Sequence, residues 1–439
     1  MAETMRNFLL FTICLCALFS CKTENKKVEF TGREIDKVLG EMTELMVHDV
    51  TNPPLAMRFF SYTCLAGYQV ISAHDTTLPR ISEHLNGYPT IEKIDFTNSD
   101  PNLAAIIAMM EVSQKIQPSG KRMELWEKNY LDSCKSIGLP SEVIENSKAI
   151  GALVAKNILG YAKADRYNTL SNFPRYTPDK KEGYWYPTPP GYFPAVEPYF
   201  AKIRNYSLSE SEVSEFEIDP PKAYSSDQRS EFYTLANQVY LVGKKQEEQK
   251  IAAFWDCNPF ALSSNGHLLI AMKKISPGAH WMGISAIACA KKKLDFGHSL
   301  LVRTVLSVSM QDAFWVCWRE KYHSNRIRPE TAVRKLIDPT WKPFLQTPPF
   351  PEYPSGHSTV SSTAAVILTH FIGENFSYVD TVETRYGIEA RPFKSFNQAA
   401  EEASISRFYG GIHFMDGIAS GQSQGKKLGN HILKKLNLL

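Results

Sequence analysis

The chain has 439 residues, of which 43% are hydrophobic, and its 49 basic and 46 acidic side chains give a formal charge of +3. This length can bury the core of one large domain or of two medium ones. The charges form no basic tail or stripe, so the composition argues against a nucleic acid partner and favours a small anion as any charged ligand.

The N-terminus, residues 1–20, has the pattern of a signal peptide. Arg6 precedes an apolar run over 8–19, which is too short to span a bilayer, and Cys21 follows. Residues 18–21 resemble the lipobox of bacterial lipoproteins, in which Cys21 would carry the lipid and become the mature N-terminus. The alternative is a short buried helix.

The leader also predicts where the protein resides. Glu3 is unusual in a basic leader, so translation starts at either Met1 or Met5. We expect export, with the lipid at Cys21 as the contact with a bacterial membrane. The outer membrane is favoured because Lys22 offers no obvious retention signal, and a periplasmic or cell-surface position is the broader expectation.

The cysteines that follow the leader do not predict a disulfide framework or a zinc site. They are odd in number, widely spaced and without a CxxC pair, and we expect buried thiols instead. These residues are Cys64, Cys134, Cys257, Cys289 and Cys317.

Apolar residues recur at intervals of three and four along much of the chain, as at Ile35, Val38 and Leu39, and this spacing predicts α-helices. Strand-like alternation is scarce. We therefore predict an all-α fold of one or two packed helix bundles. Helices are expected near 53–74, 101–116, 121–136, 141–164 and 227–254.

Prolines and aromatic residues dominate 166–200, which cannot continue a helix. The aromatic content favours an ordered strap packed over helices, and a flexible linker is the alternative. We expect an N-terminal helical region over 28–200 that includes this strap. A C-terminal helical domain, 201–439, would hold the active site.

Chemically active residues concentrate in the last third of the chain. An apolar helix over 299–322 places Lys321 at its C-terminal end, with Arg328 in the following turn. The apolar spacing after Pro354 predicts a helix with Ser355 near its N-cap and His357 in its first turn.

A further helix, 396–408, carries Arg407, and Gly410 breaks the pattern before His413. Fixed cations, a hydroxyl, a helix N-terminal amide and imidazoles are the groups that bind a tetrahedral oxyanion. These candidate residues are Lys321, Arg328, Ser355, Gly356, His357, Arg407 and His413.

The ordered segments Lys-x6-Arg-Pro, Pro-Ser-Gly-His and Ser-Arg-x5-His, within 320–421, resemble the signature of the vanadium-dependent haloperoxidases and the type 2 phosphatidic acid phosphatases. The resemblance implies an all-helical fold with the site inside a bundle. It implies that His357 is the general acid/base and that His413 binds vanadium or, in a phosphatase, phosphorus. The oxyanion would be held by Lys321, Arg328 and Arg407, with Ser355 and the Gly356 amide.

Within this superfamily, a vanadate-dependent haloperoxidase is the first hypothesis, because about 300 residues of mostly helical chain precede Lys321, a length similar to haloperoxidases. Its partners would be hydrogen peroxide and a halide, with iodide or bromide favoured because they are oxidised more easily than chloride. Trp318 and Phe350 resemble aromatic residues of a halide pocket, although both could be ordinary core residues.

Two other functions remain open. One is a metal-independent acid phosphatase, which would need no vanadate and would use His413 as a nucleophile on a phosphomonoester. The other is a non-catalytic surface lipoprotein that binds a partner through the strap. The sequence leaves the oligomeric state undetermined.

Two carboxylates are candidates for supporting the catalytic histidines. Asp256 lies in a run, 254–260, that resembles secreted bacterial haloperoxidase-like proteins, and it could instead cap a helix. Asp416 follows His413 by three residues, whereas family members commonly carry an Asp four residues after this His. The remaining histidines of the C-terminal half are expected to be structural or exposed: His280, His298, His323 and His370.

Overall fold

The computed structural model describes residues 29–90, 92–265, 268–271 and 274–439. The predicted signal peptide, 1–20, and the lipid-anchor residue Cys21 lie outside the described residues. Helices dominate the described chain, and the predicted all-α class is confirmed.

The N-terminal helices begin at residues that satisfy free backbone amides. Thr31 and Glu34 form a capping box at the first helix, and Asn52 and Asp100 accept from backbone N–H groups at the second and third, each followed by proline. The helices are α1 Gly32–His48, α2 Pro53–His74, α3 Pro101–Ile116, α4 Lys121–Ser136 and α5 Ser141–Lys163.

The C-terminal part adds helices of very different lengths. They are α6 Glu210–Val213, α7 Glu231–Leu241, α8 Gln246–Phe254, α9 Pro277–Lys292, α10 Phe296–Ser324, α11 Pro329–Leu336, α12 Gly356–Ile372, α13 Phe396–Tyr409 and α14 Met415–Lys435. Short 3₁₀ turns occupy Ile81–His84, Tyr167–Asn172, Phe200–Lys202, Ser214–Phe216 and Thr384–Tyr386.

The described strands form two small antiparallel hairpins. Leu262 of the first pairs with Ala271, and Tyr378 of the second pairs with Phe393. The strands are β1 Leu262–Asn265, β2 Leu268–Ala271, β3 Tyr378–Asp380 and β4 Arg391–Phe393.

The helical signal near 227–254 corresponds to two helices, α7 and α8. Gly243 lies between them with φ +77°, and a Cβ added to it would lie 2.4 Å from the Tyr409 carbonyl oxygen. Glycine therefore permits both the left-handed backbone and the close approach to the end of α13.

Helix α10 is the centre of the molecule. It packs against α2 on one side and α12 on the other, and one continuous hydrophobic core includes residues from both regions. Among the described helices, α10 is the one long and apolar enough to cross a membrane, yet its most apolar stretch is entirely buried within the protein. Its length, apolar sequence and burial are those of a core helix.

Helices α12 and α14 pack closely because glycines occur every fourth residue on α14. A Cβ on Gly421 would lie 2.7 Å from the Ser355 carbonyl oxygen, and one on Gly425 would lie 2.2 Å from that of Thr359. The absence of side chains lets the backbones approach, which brings the start of α14 to the start of α12. The glycines are Gly417, Gly421, Gly425 and Gly429.

The aromatic strap is ordered and covers the C-terminal end of α10. The Trp185 amide donates to the Asn325 carbonyl at 2.8 Å, and the Trp185 side chain is buried. Farther along, the Val196 carbonyl accepts from Trp318 Nε1 at 3.2 Å and from the Tyr322 hydroxyl at 2.7 Å. The strap therefore fixes the aromatic side of α10 next to the candidate site.

Candidate active site

Lys321 lies in the last turn of α10, fully buried, and organises the loop before α12. Its Nζ donates to the carbonyls of Pro351 and Glu352 at 3.0 Å each and of Pro354 at 2.6 Å. An ammonium has three protons, so contact with an oxyanion would require exchange of one of these bonds. Burial, reinforced by the nearby Arg328 charge, lowers the pKa of Lys321 to about 7.

Arg328 is the N-cap residue of α11 and is also fully buried. Its Nε donates to the Phe350 carbonyl at 2.8 Å, and its Nη1 donates to the Ile412 carbonyl at 2.9 Å and to His413 Nε2 at 3.1 Å. Among the described residues, its Nη2 has no hydrogen-bond partner. Burial lowers the pKa of Arg328, but a guanidinium keeps its charge in proteins.

Arg407 is near the C-terminal end of α13 and, like Arg328, is buried with one guanidinium nitrogen left without a partner among the described residues. Nη1 donates to the Trp255 carbonyl at 2.6 Å, and Nη2 lies 3.9 Å from Asp256 Oδ1. Its Nε has no partner within the described part of the chain. Asp256 also pairs with Lys274, so this candidate supporting carboxylate lies beside Arg407 rather than beside a catalytic histidine.

The first turn of α12 supplies neutral donors. Ser355 is the N-cap, as predicted, and its side chain accepts from the Ser358 amide at 3.3 Å and lies 2.9 Å from the Ser358 hydroxyl. Gly356 and His357 line the cavity next to it. A helix N-terminus directed at this space favours an anion.

His413 immediately precedes Phe414, the N-cap residue of α14, and is held on both ring nitrogens. Its Nδ1 lies 2.7 Å from Glu352 Oε1, which also accepts from the Phe414 amide at 3.1 Å. This network assigns the proton to Nδ1 and leaves the Nε2 lone pair next to Arg328. Burial and the positive charges of Arg328 and Lys321 lower the pKa of His413 well below its usual value, so the ring is neutral.

His357 is half-buried, and within the described structure its Nε2 has no hydrogen-bond partner. Burial is the largest cause that lowers the pKa of His357, followed by the charges of Arg407 and His413, while the Trp255 carbonyl opposes the shift. A neutral ring with a free nitrogen can accept a proton.

Asp416 does not contact His413. Its Oδ1 accepts from Arg326 Nη1 at 2.7 Å, and the same Nη1 lies 3.1 Å from Glu352 Oε2. The carboxylate that supports His413 is therefore Glu352. Asp416 is connected to His413 only through Arg326 and Glu352. Neither Glu352 nor Arg326 was predicted from the sequence as a site residue. A charged residue in the otherwise apolar loop before Ser355 was the available signal.

A small cavity of about 30 Å³ lies at this site. Gly356, His357, Arg407 and His413 form its polar side. Trp318 and Phe350 also line the cavity, with ring centroids 4.9 Å apart, so the suggested halide-pocket residues are on its wall. The Phe350 ring lies beside the cations, with its centroid 5.0 Å from the Arg328 guanidinium carbon and 5.2 Å from Lys321 Nζ. Further apolar lining comes from Phe260, Phe314, Pro53, Pro259, Pro277 and Pro348.

A solved structure described as the first bacterial vanadium-dependent iodoperoxidase is 42% identical in sequence, with a TM-score of 0.87. The alignment covers 93% of this chain and 98% of that one. The chain belongs to the vanadium-dependent haloperoxidases.

Other comparisons agree with this haloperoxidase fold. Residues 336–439 match the family model of the VCPO second helical-bundle domain. A bacterial vanadium-dependent chloroperoxidase in its holo form is 14% identical with a TM-score of 0.66, over 88% of this chain and 93% of that one. The apo form gives 15% identity and a TM-score of 0.64, over 87% and 93%. No curated protein matches the sequence significantly.

The cofactor of the haloperoxidase family is vanadate, and the residues of this chain fit it. Three buried nitrogens of the candidate site residues have no partner among the described residues: Arg328 Nη2, Arg407 Nε and His357 Nε2. A tetrahedral oxyanion would give the two guanidinium nitrogens acceptors, because unpaired buried donors are costly, and a hydroxyl group on it would donate to His357 Nε2. Arg328, Arg407 and the α12 N-terminus would hold its oxygens. His413 Nε2 would bind the metal in exchange for the hydrogen bond that it accepts from Arg328 Nη1 at 3.1 Å.

Proposed function

We propose that this haloperoxidase oxidises iodide with hydrogen peroxide and that His413 ligates its vanadate. The observation that carries the proposal is the position of His413 Nε2, an imidazole nitrogen that accepts from Arg328, a buried guanidinium whose Nη2 has no partner among the described residues. A neutral imidazole is a metal ligand, and the neighbouring cations complement the charge of an oxyanion.

Two observations favour iodide as the halide. The relative with 42% identity is described as an iodoperoxidase. In addition, Trp318 and Phe350 give the cavity an apolar wall beside the cationic residues, and such a wall suits a large, weakly hydrated anion. Iodide is also oxidised more easily than bromide or chloride.

The side chains divide the chemistry between binding and proton transfer. Bound vanadate supplies a Lewis acid that polarises the peroxide oxygens. Arg328 and Arg407 stabilise negative charge in the buried site, and Lys321 holds the loop that carries Glu352. His357 Nε2, neutral and unpaired within the described structure, accepts a proton from hydrogen peroxide and later returns it to the product.

A paired assay on protein lacking residues 1–21 tests this function. We expect peroxide-dependent iodide oxidation that requires orthovanadate and is lost in H413A, with less bromide oxidation and negligible phosphomonoester hydrolysis in vanadate-free buffer. Hydrolysis that vanadate merely inhibits would overturn the proposal, because the same neutral His413 could then act as a nucleophile on phosphorus.

We also propose that the protein is exported and lipid-anchored at Cys21. The basic and apolar leader and the lipobox-like residues 18–21 support this. Mass spectrometry of the mature N-terminus should find a lipidated Cys21, and C21A should release the protein from the membrane fraction. An unmodified N-terminus at Met1 or Met5 would contradict the proposal.

A further inference from the structure

A second group of ligating side chains lies in the wall next to the vanadate site. Cys257 Sγ is 3.2 Å from Glu383 Oε1 and 3.4 Å from His280 Nδ1, and His280 Nδ1 is 3.3 Å from Glu383 Oε1. All three side chains are buried. They come from the loop after α8, the first turn of α9 and the turn after β3, and we refer to them as the Cys257–His280–Glu383 cluster.

His280 is oriented as metal-ligating histidines are. Its Nε2 donates to Asp380 Oδ2 at 2.7 Å, which leaves Nδ1 to face Cys257 and Glu383. Asp380 is fixed in turn, because its Oδ1 accepts from the Val382 amide at 3.0 Å. A carboxylate on the far nitrogen sets the tautomer of a ligating imidazole and raises its basicity.

The separations fit a tetrahedral ion. With zinc bonds of about 2.0–2.1 Å to nitrogen and oxygen and about 2.3 Å to sulfur, two ligands of a tetrahedron are roughly 3.3–3.6 Å apart. The three measured separations are 3.2, 3.3 and 3.4 Å. An ion in the middle would therefore need ligand shifts of only a few tenths of an ångström.

We propose that the Cys257–His280–Glu383 cluster binds a divalent transition metal ion of the zinc class, distinct from the vanadate. Cys257 binds as a thiolate and releases its proton to solvent, Glu383 binds as a carboxylate, and water completes the tetrahedron. The thiolate and the carboxylate balance the two positive charges. One sulfur, one nitrogen and one oxygen ligand favour Zn²⁺ over Mg²⁺ or Ca²⁺.

The ion would fix the segment that positions Arg407. Cys257 has φ +38°, an unusual backbone for a residue with a side chain, and it directly follows Trp255 and Asp256. The Trp255 carbonyl accepts from Arg407, Asp256 lies beside the same guanidinium, and the Trp255 ring stacks on His280 at 4.7 Å. A bond from metal to Cys257 therefore stabilises the wall of the vanadate cavity.

Elemental analysis of purified wild-type protein, after desalting with a weak chelator, tests the site. We expect one zinc per chain, counted separately from vanadium. C257S should lose this zinc, and D380N, which weakens support of His280, should lower zinc affinity by about 10- to 100-fold. C289S is the matched control, since Cys289 is a buried thiol on α9 outside the cluster, and it should keep the zinc.

Reconstitution of wild-type protein with Co²⁺ keeps the test decisive if C257S does not fold. We expect the thiolate-to-cobalt charge-transfer absorption and the strong visible bands of a tetrahedral site. Wild-type protein that neither contains nor takes up a stoichiometric transition metal would overturn the proposal and leave a protonated His280 paired with Asp380 and Glu383. Full metal retention by a folded C257S would overturn it as well. Neither result depends on iodide oxidation.

Discussion

Glu352 Oε1 lies 2.7 Å from His413 Nδ1, and this contact sets which nitrogen of the proposed vanadium ligand faces the cavity. Because Nδ1 carries the proton, Nε2 keeps its lone pair next to Arg328. The other carboxylate oxygen of Glu352 accepts from Arg326 at 3.1 Å, so Glu352 itself cannot rotate freely.

The first prediction concerns this carboxylate. E352Q keeps the size and one acceptor oxygen but removes the negative charge that supports His413 and pairs with Arg326. We expect vanadate affinity to fall by about 10- to 100-fold, as for other residues that support a metal ligand. Titration of vanadate-free protein with orthovanadate, followed by recovered iodide oxidation, measures the change.

E330Q is the matched control for this substitution. Glu330 is also buried, but it accepts from the Thr347 hydroxyl at 2.6 Å and pairs with Arg334 at 3.4 Å. It does not touch His413, so its vanadate affinity should stay within about twofold of wild type, a change worth less than about 0.5 kcal/mol. Equal losses in E330Q and E352Q would indicate a general effect of neutralising buried glutamates.

The second prediction is that His413 controls vanadium binding and His357 controls the rate of turnover. H413A should retain no vanadium after desalting, because it removes the proposed ligand. H357A should retain vanadium but lose roughly 10²- to 10⁴-fold in kcat, because it removes a proton carrier that the described structure leaves without a partner at Nε2. Vanadium content and iodide oxidation are measured on the same samples, and retained vanadium in H413A would contradict the assignment.

The sequence predicted α12 well because its signals are local. Ser355, the predicted N-cap, can be recognised from neighbouring residues alone. Helix α9 was missed, although Ser276 and Pro277 form an equally local start signal.

The contacts that complete the site were harder to predict from the sequence, because they join segments that are distant along the chain. Glu352 and His413 are 61 residues apart. The short spacing between His413 and Asp416 suggested that these two residues pair, but in the structure Asp416 pairs with Arg326 instead. Cys257 and Glu383 are 126 residues apart. No motif spacing therefore indicated their cluster, whereas Lys321, Arg328 and Arg407 were identifiable from motif order.

The third prediction concerns the close packing of α14 on α12. G425A would place a Cβ 2.2 Å from the Thr359 carbonyl oxygen, which forces the two helices apart. We expect a loss of about 1–3 kcal/mol in the free energy of unfolding. Vanadate affinity should also fall, because His413 lies at the start of α14. Urea unfolding and vanadate titration measure the two effects.

G40A is the control for this substitution, because nothing lies within 4 Å of a Cβ at Gly40 in α1. Alanine there should leave vanadate affinity unchanged and raise stability by up to about 1 kcal/mol, as for glycine in an exposed helix. Similar destabilisation of both variants would exclude helix separation as the cause.

The last prediction is a pH dependence of stability far from the cavity. Burial, followed by repulsion from Glu111, raises the pKa of Glu127 from 4.5 to about 7. The folded protein therefore holds a proton that the unfolded chain releases between these pH values. The stabilisation is complete below pH 4.5, declines as the pH rises, and is lost above about pH 7.

E127Q removes this titration while it keeps an oxygen that can accept from Gln114. After allowance for solvent screening, we expect E127Q to be about 1–2 kcal/mol more stable than wild type at pH 8 and nearly equal at pH 5, with unchanged iodide oxidation. Urea unfolding at both pH values measures this difference. E401Q, at an exposed glutamate of α13 that does not contribute to the shift at Glu127, should leave the pH dependence of unfolding as in wild type. A constant difference between E127Q and wild type across this range would contradict a titrating Glu127.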